Sequence, residues 1–214
     1  MRKKIIITGG LGYIATELCK LYSGVSWHHN VKVIDNRFIS ERVNQIRNWN
    51  MEFIQGDILD KKLIEKHFKD ADIIHHLAGI TAVPRTKNES SESQDNKIKE
   101  VGEKGTQNIL DVISDKCKII FPSTHVVYEG IKEVKTDINE DEITKPVLSY
   151  SSSKATNEKQ LKESGKNYII LRLGSVYGYS TDSMRIDIMP NLFSKITSQS
   201  GTLKLFAGRR QIKS

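Results

Sequence analysis

The chain has 214 residues, and its 33 Lys and Arg against 26 Asp and Glu give a formal net charge of +7. Its composition, 37% hydrophobic and 28% charged, is typical of a globular domain, and its apolar runs are too short to cross a bilayer, so no membrane association is expected. The lysines are dispersed among acids without interleaved aromatic residues, which argues against nucleic-acid binding and suits an anionic small-molecule substrate.

The first residues and the two cysteines indicate the compartment. Met1-Arg2-Lys3-Lys4 runs directly into an apolar stretch without the features of a signal peptide, which predicts a cytoplasmic location. Cys19 and Cys117 lack the spacing of a metal or redox motif. We therefore expect both to be reduced thiols in or near the core.

Short apolar runs alternate with helical patterns along most of the chain. Strands are predicted at residues 3–8, 31–35, 51–55, 72–77, 118–122 and 168–173. Helices are predicted at residues 12–21, around 63–68, between 88 and 114, at 150–164 and at 186–196. This alternation predicts a doubly wound α/β fold, in which a parallel sheet is covered by helices on both faces.

The pattern changes after Gly178. We expect a large α/β domain in residues 1–178 and the start of a smaller C-terminal region in residues 179–214. A last strand is predicted at 202–206, after which the chain ends in a basic stretch without turn signals. This ending suggests a fold that is cut short.

A glycine-rich turn follows the first predicted strand. Gly10-x-Gly12-x-x-Ala15 matches the dinucleotide fingerprint, and Gly9-x-x-Gly12-x-x-Ala15 matches its shifted relative. Glycines permit the tight turn and let the backbone approach a pyrophosphate, which sits on the N-terminus of the next helix. The cofactor contacts expected from this turn and helix are Gly9, Gly12, Tyr13 and Ile14.

Asp35 closes the second predicted strand, twenty residues after Ala15. A carboxylate there accepts hydrogen bonds from an adenosine ribose and repels a 2′-phosphate, which favours NAD over NADP as the cofactor. Arg37 weakens this preference without reversing it. Asn36, between the two, is a further expected cofactor contact.

The ends of the third and fourth predicted strands supply more cofactor contacts. Asp57 and Ile58 follow the third strand, and Asp57 there either reaches the adenine or caps the following helix. Leu77, Ala78 and Gly79 follow the fourth strand, where small residues suit close approach of a cofactor. The two preceding histidines have no acid or cysteine at metal-ligand spacing, so they are expected to pack, and no metal site is predicted.

Tyr150 and Lys154 lie four residues apart on a predicted helix, so the ammonium group should lie beside the phenol. That charge, together with the charge of a nicotinamide, is expected to lower the pKa of Tyr150 and to let its phenolate act as a base. Thr124, just past the fifth strand, offers a hydroxyl for the same substrate oxygen. The neighbouring Ser123 is an expected cofactor contact.

Taken in order, these motifs resemble the extended short-chain dehydrogenase/reductase family, the NAD-dependent nucleotide-sugar epimerases and dehydratases, in particular the members like UDP-glucose 4-epimerase. The matching segments are 8–15, 35, 56–57, 76–79, 105–110, 123–128, 150–154, 171–178 and 205–208. The resemblance implies a Rossmann fold, with an NAD-binding domain in residues 1–178 and a partial substrate-binding region in residues 179–214. It also implies a homodimer that forms through the helix at 98–113 and the helix that carries Tyr150.

The same resemblance implies a role for each residue of the site. Tyr150 is the acid/base, Lys154 binds the nicotinamide ribose and tunes Tyr150, and Thr124 holds the sugar hydroxyl. Bound NAD takes a hydride from the sugar to give a keto intermediate, and epimerases return that hydride to the other face. The implied substrate is a nucleotide sugar, and a UDP-sugar is expected.

Several positions depart from the family pattern. Family 4,6-dehydratases place Asp-Glu directly after the Thr, and this chain has His125 and Val126 there, which argues against a dehydratase. Glu129 separates Tyr128 from Gly130, where the family usually has Val-Tyr-Gly. These changes bear on the substrate and not on the hydride chemistry.

Other departures concern substrate contacts. Ser175 stands where an Asn commonly contacts the sugar nucleotide, and Gly102 replaces an Asn that braces the active-site water network. Thr81 takes the family's hydroxyl or Lys position after the fourth strand and could touch the sugar. His125 either faces the substrate or has a structural role. The predicted substrate contacts are Thr81, Thr124, His125 and Ser175.

Three hypotheses for the function follow. The first is an NAD-dependent nucleotide-sugar 4-epimerase. The second is a net oxidoreductase or decarboxylase on the same substrates, distinguished by consumption of free nicotinamide or release of CO2. The third is an NAD-binding module without catalysis.

Overall fold

A computed structural model describes residues 2–81, 87–180 and 183–204 of the chain. The strands are β1 (Lys4–Thr8), β2 (Asn30–Asp35), β3 (Glu52–Gln55), β4 (Ile73–His76), β5 (Lys118–Thr124) and β6 (Asn167–Leu173). They form one sheet in the order β3-β2-β1-β4-β5-β6, and every neighbouring pair is parallel. The predicted doubly wound α/β fold is confirmed.

Helices connect the strands and cover both faces of the sheet. They are α1 (Tyr13–Ser23), α2 (Ser40–Asn48), α3 (Lys61–Phe68), α4 (Glu92–Lys99), α5 (Gly105–Leu110), α6 (Ser149–Glu163) and α7 (Met189–Ser198). Short 3-10 turns lie at Ser26–His28, Lys87–Glu89 and His125–Tyr128. None of the helices in the described part of the chain combines the length and the apolar character that crossing a membrane requires.

The core is divided by the sheet into two layers. Along β1, Ile6 packs on one face with residues of α3, α5 and α6, while Ile5 and Ile7 pack on the other with residues of α1 and α2. This alternation is the period-two pattern of a strand that is buried on both faces. Cys19 and Cys117 are unpaired and buried, one in each layer, as expected.

The long helix predicted between residues 88 and 114 is divided into three parts. A π-helical stretch, Glu100–Lys104, joins α4 to α5. Gly102 in this stretch lies against α6, where a Cβ atom would come within 2.4 Å of the Ser153 hydroxyl oxygen. Its carbonyl accepts a hydrogen bond from the Asn157 amide. The close approach of α6 explains the glycine at a position where the family often has Asn.

Three further differences separate the predicted elements from the structure. Helix α2 was not predicted, because only Val43 and Ile46 of its nine residues are buried and the pattern is weak. Helix α7 begins at Met189 and not at 186, with Pro190 in its first turn, where proline is favoured. Of the strand predicted at 202–206, residues 202–204 form no regular structure and the rest lies outside the described residues, as does the matching segment 205–208.

A buried ion pair joins α6 to β6. The Arg172 guanidinium donates to the Glu158 carboxylate, with Nη2 2.6 Å from Oε2 and Nε 3.0 Å from Oε1. The side chain of Glu158 is 4% exposed and that of Arg172 is 15% exposed. The Ser123 hydroxyl of β5 donates to the same carboxylate. Burial raises the pKa of Glu158, but the hydrogen bonds from Arg172 and Ser123 outweigh it, so the pKa lies below its ordinary value.

We predict that Glu158→Gln lowers the free energy of unfolding by on the order of 3 kcal/mol, because it leaves a buried guanidinium without its counter-charge. Glu163→Gln on the same helix is the matched control. Its exposed pair with Lys159, at 3.8 Å, should contribute less than about 0.5 kcal/mol. Urea unfolding of the two variants measures both effects, and equal losses would contradict a stabilising buried pair.

The same ion pair predicts a pH dependence. Because the pKa of Glu158 in the folded protein lies below the ordinary value of 4.5, its ionised form stabilises the fold above that pH, and the contribution is lost as the pH falls through the folded pKa. The stability difference between wild type and Glu158→Gln should therefore shrink on acidification below about pH 4.5. A difference that grows on acidification would contradict this assignment.

Candidate active site

The predicted site residues follow the carboxyl ends of the strands. Because all six strands are parallel, these ends lie at one edge of the sheet, where ligands of such folds bind. Thr8, Asp35, His76, Thr124 and Leu173 are the last residues of five of the strands. The topology therefore brings the predicted cofactor and catalytic residues to a common edge.

The glycine-rich turn after β1 is packed between its neighbours. Gly9 has a φ of +64°, and a Cβ atom there would lie 2.8 Å from the Ala78 backbone. A Cβ atom at Gly10 would lie 1.9 Å from Val33 Cγ1. Both glycines are thus required by the close approach of the turn to β2 and to the end of β4. The turn is closed by the Gly12 amide, which donates to the Gly9 carbonyl at 3.0 Å.

The turn leaves the N-terminus of α1 facing this edge without a side-chain cap. Gly12 is the N-cap residue and makes no side-chain hydrogen bond, and the first turn holds no acidic residue. Tyr13 and Ile14 are the first helical residues. The partial positive charge of such a helix end suits a phosphate group.

Asp35 is almost fully buried at the end of β2, with 5% of its surface exposed. Its Oδ2 accepts from the Leu11 amide at 2.9 Å, and its Oδ1 accepts from the Arg37 amide at 3.0 Å and from Arg37 Nε at 3.1 Å. The carboxylate therefore fixes the glycine-rich turn. Arg37 lies on it and partly neutralises the charge that was expected to repel a 2′-phosphate.

The loop after β3 is linked to the end of β2. Asn36 Nδ2 donates to Asp57 Oδ2 at 3.0 Å, and Asp57 Oδ1 accepts from the Leu59 amide at 2.9 Å. The N-cap of α3 is Asp60, so the alternative interpretation of Asp57 as that cap is wrong. Ile58 is 4% exposed and its side chain belongs to the core.

The loop after β4 rests on a buried histidine. His76 Nδ1 lies 3.0 Å from the Thr8 hydroxyl, and its Nε2 lies 3.0 Å from the Thr106 hydroxyl. Burial, with a smaller effect from the charge of Lys154, lowers the pKa of His76 to about 3. His76 is therefore a neutral packing residue, as its spacing predicted.

The residues that follow β4 line the edge with little side-chain bulk. The Ala78 amide donates to the Thr8 hydroxyl at 3.0 Å, and Leu77 packs against the core. A Cβ atom at Gly79 would have open space around it. Thr81 is exposed at the end of this described segment. The loop thus leaves room for a ligand beside the glycine-rich turn.

Helix α6 presents Tyr150 and Lys154 on one face. Lys154 Nζ donates to the Pro122 carbonyl at 2.9 Å and lies 4.3 Å from the Phe121 ring centroid and 5.9 Å from the Tyr150 centroid. Burial lowers the pKa of Lys154 to about 8, and the negative charge of Glu158 opposes that shift. The ammonium group is held beside the phenol by β5.

The protein's own groups raise the pKa of Tyr150. Burial is the larger cause, and the positive charge of Arg185 opposes it. The protein's own groups alone therefore do not lower the pKa of Tyr150, because desolvation of the phenolate outweighs the neighbouring positive charge. The expected lowering, which includes the charge of a bound nicotinamide, stays a prediction.

Thr124 ends β5 and is 8% exposed. Its hydroxyl oxygen accepts from the Val126 amide at 3.3 Å and thereby caps the 3-10 turn that follows. His125 Nδ1 lies 3.1 Å from the Leu173 carbonyl, a contact that fits the structural interpretation of this histidine. The Ser123 hydroxyl donates to Glu158, and Ser175 is exposed after β6.

A polar network after β6 was not predicted from the sequence. The Tyr13 hydroxyl donates to the Gly178 carbonyl at 2.6 Å. Asn191, which is 3% exposed, accepts from the Gly178 amide at 3.0 Å and donates to the Arg185 carbonyl at 2.8 Å. The network ties the segment that carries Arg185 to the start of α1. No local pattern marks Asn191, because its neighbours one turn along α7, Ser194 and Lys195, are also polar.

Comparison with known families identifies most of the chain. Residues 5–212 match the NAD dependent epimerase/dehydratase family. A dTDP-D-glucose 4,6-dehydratase of Dictyostelium discoideum is 30% identical over 197 residues, covering 82% of this chain and 44% of its own. A UDP-glucose 4-epimerase of Haemophilus influenzae is 30% identical over 172 residues, covering 76% of this chain and 48% of its own.

Solved structures share the fold. A UDP-glucuronic acid 4-epimerase of Bacillus cereus in complex with NAD superposes with a TM-score of 0.73 at 24% identity, covering 92% of this chain and 64% of its own. A UDP-N-acetylglucosamine 4-epimerase of Methanobrevibacter ruminantium, in complex with UDP-N-acetylmuramic acid, superposes with a TM-score of 0.69 at 25% identity. The superposition covers 92% of this chain and 64% of that one.

The chain spans about half the length of the two curated relatives, 44% and 48%. The match nevertheless covers residues 5–212, from β1 to beyond the last described residue. The chain therefore belongs to the NAD-dependent epimerase/dehydratase family.

Proposed function

We propose that this chain contains the NAD-binding and catalytic part of a nucleotide-sugar 4-epimerase that acts on a UDP-sugar. The observation that carries the proposal is that the uncapped N-terminus of α1, Asp35 and Thr124 lie along one edge of the sheet, while Lys154 of α6 binds β5 beside the Tyr150 ring. Family membership and the NAD complex of the similar Bacillus cereus epimerase support it.

The residues at this edge fit an NAD molecule. The N-terminus of α1 would hold the diphosphate, Asp35 would accept from the adenosine ribose, and Lys154 would donate to the nicotinamide ribose. A Cβ atom at Gly79 would meet no neighbour within 4 Å, so no side chain of this residue would stand between β4 and a bound cofactor. When bound, NAD supplies a reversible hydride acceptor, so that a sugar alcohol can be oxidised to a ketone and reduced again on the opposite face.

The side chains of this site would manage the proton. Tyr150 as phenolate takes the proton of the sugar hydroxyl and returns it later, while Thr124 Oγ1 holds the same oxygen in line. Because burial raises the pKa of Tyr150, the phenolate needs nearby positive charge. Arg185 supplies part of it from the protein, and the charge of a bound nicotinamide would supply the rest.

A 4,6-dehydratase is the alternative that the Dictyostelium relative raises. Eliminating water needs an acid and a base at neighbouring carbons, which dehydratases of the family provide as Asp-Glu after the Thr. Here those positions are His125 and Val126, and the His125 ring already contacts the Leu173 carbonyl. We therefore favour the epimerase. Consumption of free nicotinamide cofactor would indicate an oxidoreductase, and release of CO2 would indicate a decarboxylase. Absence of any turnover would indicate a binding module without catalysis.

The remaining expectations are part of the same proposal. Residues 1–178 would form the NAD-binding domain and residues 179–214 the start of the substrate-binding region of a cytoplasmic homodimer. The apolar residues Ile98, Ile109 and Ile113 are buried in this chain's own core. A dimer would therefore use the polar outer faces of α4 and α6, and a monomeric mass by light scattering would contradict it.

We predict that Tyr150→Phe lowers kcat for UDP-sugar epimerisation by on the order of a hundredfold or more, because it removes the general base. The affinity for NAD should change little. Tyr168→Phe is the matched control, since Tyr168 lies near the start of β6, away from the carboxyl edge, and is 36% exposed. NMR of the sugar products measures the turnover of each variant. Retained activity in Tyr150→Phe would refute the mechanism.

We predict that Asp35→Asn raises the Kd for NAD by about tenfold, because a neutral amide accepts hydrogen bonds from a ribose less strongly than a carboxylate does. The amide keeps an oxygen for the Leu11 N–H, so the turn should stay in place. Isothermal titration with NAD and NADP measures both affinities. An unchanged Kd for NAD would remove Asp35 from the cofactor site.

A further inference from the structure

Glu129, the residue that interrupts the family's Val-Tyr-Gly, reaches the start of the catalytic helix. Its Oε1 accepts from the Val147 amide at 2.8 Å and from the Leu148 amide at 2.7 Å. The Ser151 hydroxyl donates to the same oxygen. One carboxylate oxygen therefore receives three donors from the first turn of α6 and the residues that lead into it.

Helix α6 has only a partial cap of its own, in which the Ser151 hydroxyl oxygen accepts from the Leu148 amide at 3.2 Å. Its N-cap residue is Leu148, whose side chain has no acceptor atom. The unpaired amides at a helix start need acceptors, and a negative charge at that end is favourable. Glu129 supplies both from a distant point in the sequence.

Backbone contacts reinforce this attachment. The Lys145 amide donates to the Val127 carbonyl at 2.8 Å, and the Gly130 amide donates to the Lys145 carbonyl at 2.8 Å. A Cβ atom at Gly130 would lie 2.5 Å from that carbonyl oxygen, so only glycine permits the approach. Residues 127–130 and 145–148 thus form one clasp at the base of the loop 131–144.

The clasp and Lys154 attach α6 to the same run of chain at two points. Lys154 Nζ binds the Pro122 carbonyl, before Thr124, and Glu129 binds the helix start, after Thr124. Tyr150 lies on α6 between these two points, two residues after Leu148. The distance between the phenol and the Thr124 hydroxyl is therefore set by both attachments.

We propose that Glu129 is a positioning residue that keeps Tyr150 of α6 at a fixed position relative to Thr124 of β5. The inference rests on the proposed function for its catalytic consequence, and on the hydrogen bonds alone for its structural one. This role explains why the chain has Glu129 between Tyr128 and Gly130, where the family has Tyr and Gly next to each other.

Three variants of the whole protein test the proposal. Glu129→Ala removes the acceptor, Glu129→Gln keeps one acceptor oxygen without the charge, and Glu133→Ala removes an exposed carboxylate from the adjoining loop with the same change in net charge. For each variant we would measure hydrogen exchange of the amides at 147–152, the Kd for NAD, and kcat and KM for a UDP-sugar.

For Glu129→Ala we expect amide exchange at 147–152 to accelerate by about fivefold or more. We expect kcat to fall by on the order of tenfold or more, since small displacements of a catalytic group are costly, with the Kd for NAD unchanged. Glu129→Gln should recover most of both effects, and Glu133→Ala should match wild type.

The outcomes distinguish two claims, that Glu129 attaches the start of α6 and that it positions Tyr150. Unchanged exchange in Glu129→Ala would overturn the attachment. Faster exchange with unchanged kcat would overturn the positioning role. If the wild type turns over no UDP-sugar, the proposed function fails, and the exchange data still decide whether Glu129 holds the start of α6.

Discussion

The parallel pairing of the strands is the constraint on which the rest of the structure depends. A parallel sheet needs a crossover after each strand, and the crossovers cover both faces with helices. Ile5, Ile6 and Ile7 in β1 are accordingly all buried, against different helices on the two faces. The same pairing sends every carboxyl end to one edge. The glycine-rich turn, Asp35 and Thr124 therefore lie along the same edge, although they are far apart in the sequence.

Close packing at that edge fixes the geometry of the candidate site. The turn after β1 fits between β2 and the end of β4 only because Gly9 and Gly10 carry no side chain. Buried polar contacts then hold the loops, as His76 does between Thr8 and Thr106. Each such contact satisfies a buried polar group that would otherwise be costly. These contacts hold the described loops in place along the edge to which the proposed cofactor is assigned.

Buried charge is the second feature of the site. Lys154 and Glu158 lie one turn apart on α6, and Arg172 completes the charged group from β6. Burial lowers the pKa of Lys154, and Glu158 opposes that shift. The same low polarity raises the pKa of Tyr150. The ionisation of the Tyr150 phenol therefore depends on the positive charges around it.

Local patterns in the sequence were enough to predict much of this. The strands are nearly continuous apolar runs, and glycine, Asp35 and the Tyr150–Lys154 spacing have direct physical meaning. Other features depend on tertiary contacts that no local pattern encodes. Helix α2 buries only two residues, and Glu129 finds its partners eighteen and more residues away. The raised pKa of Tyr150 depends on how deeply α6 is buried, which the spacing alone does not give.

Mass spectrometry of the small molecules released by heating the purified whole protein tests the central claim most directly. The account predicts NAD or NADH held by the protein, because a cofactor that is reduced and reoxidised within each turnover has no need to leave. Release of NADP, or of no nicotinamide nucleotide at all, would contradict the assignment of this sheet edge to a tightly bound NAD.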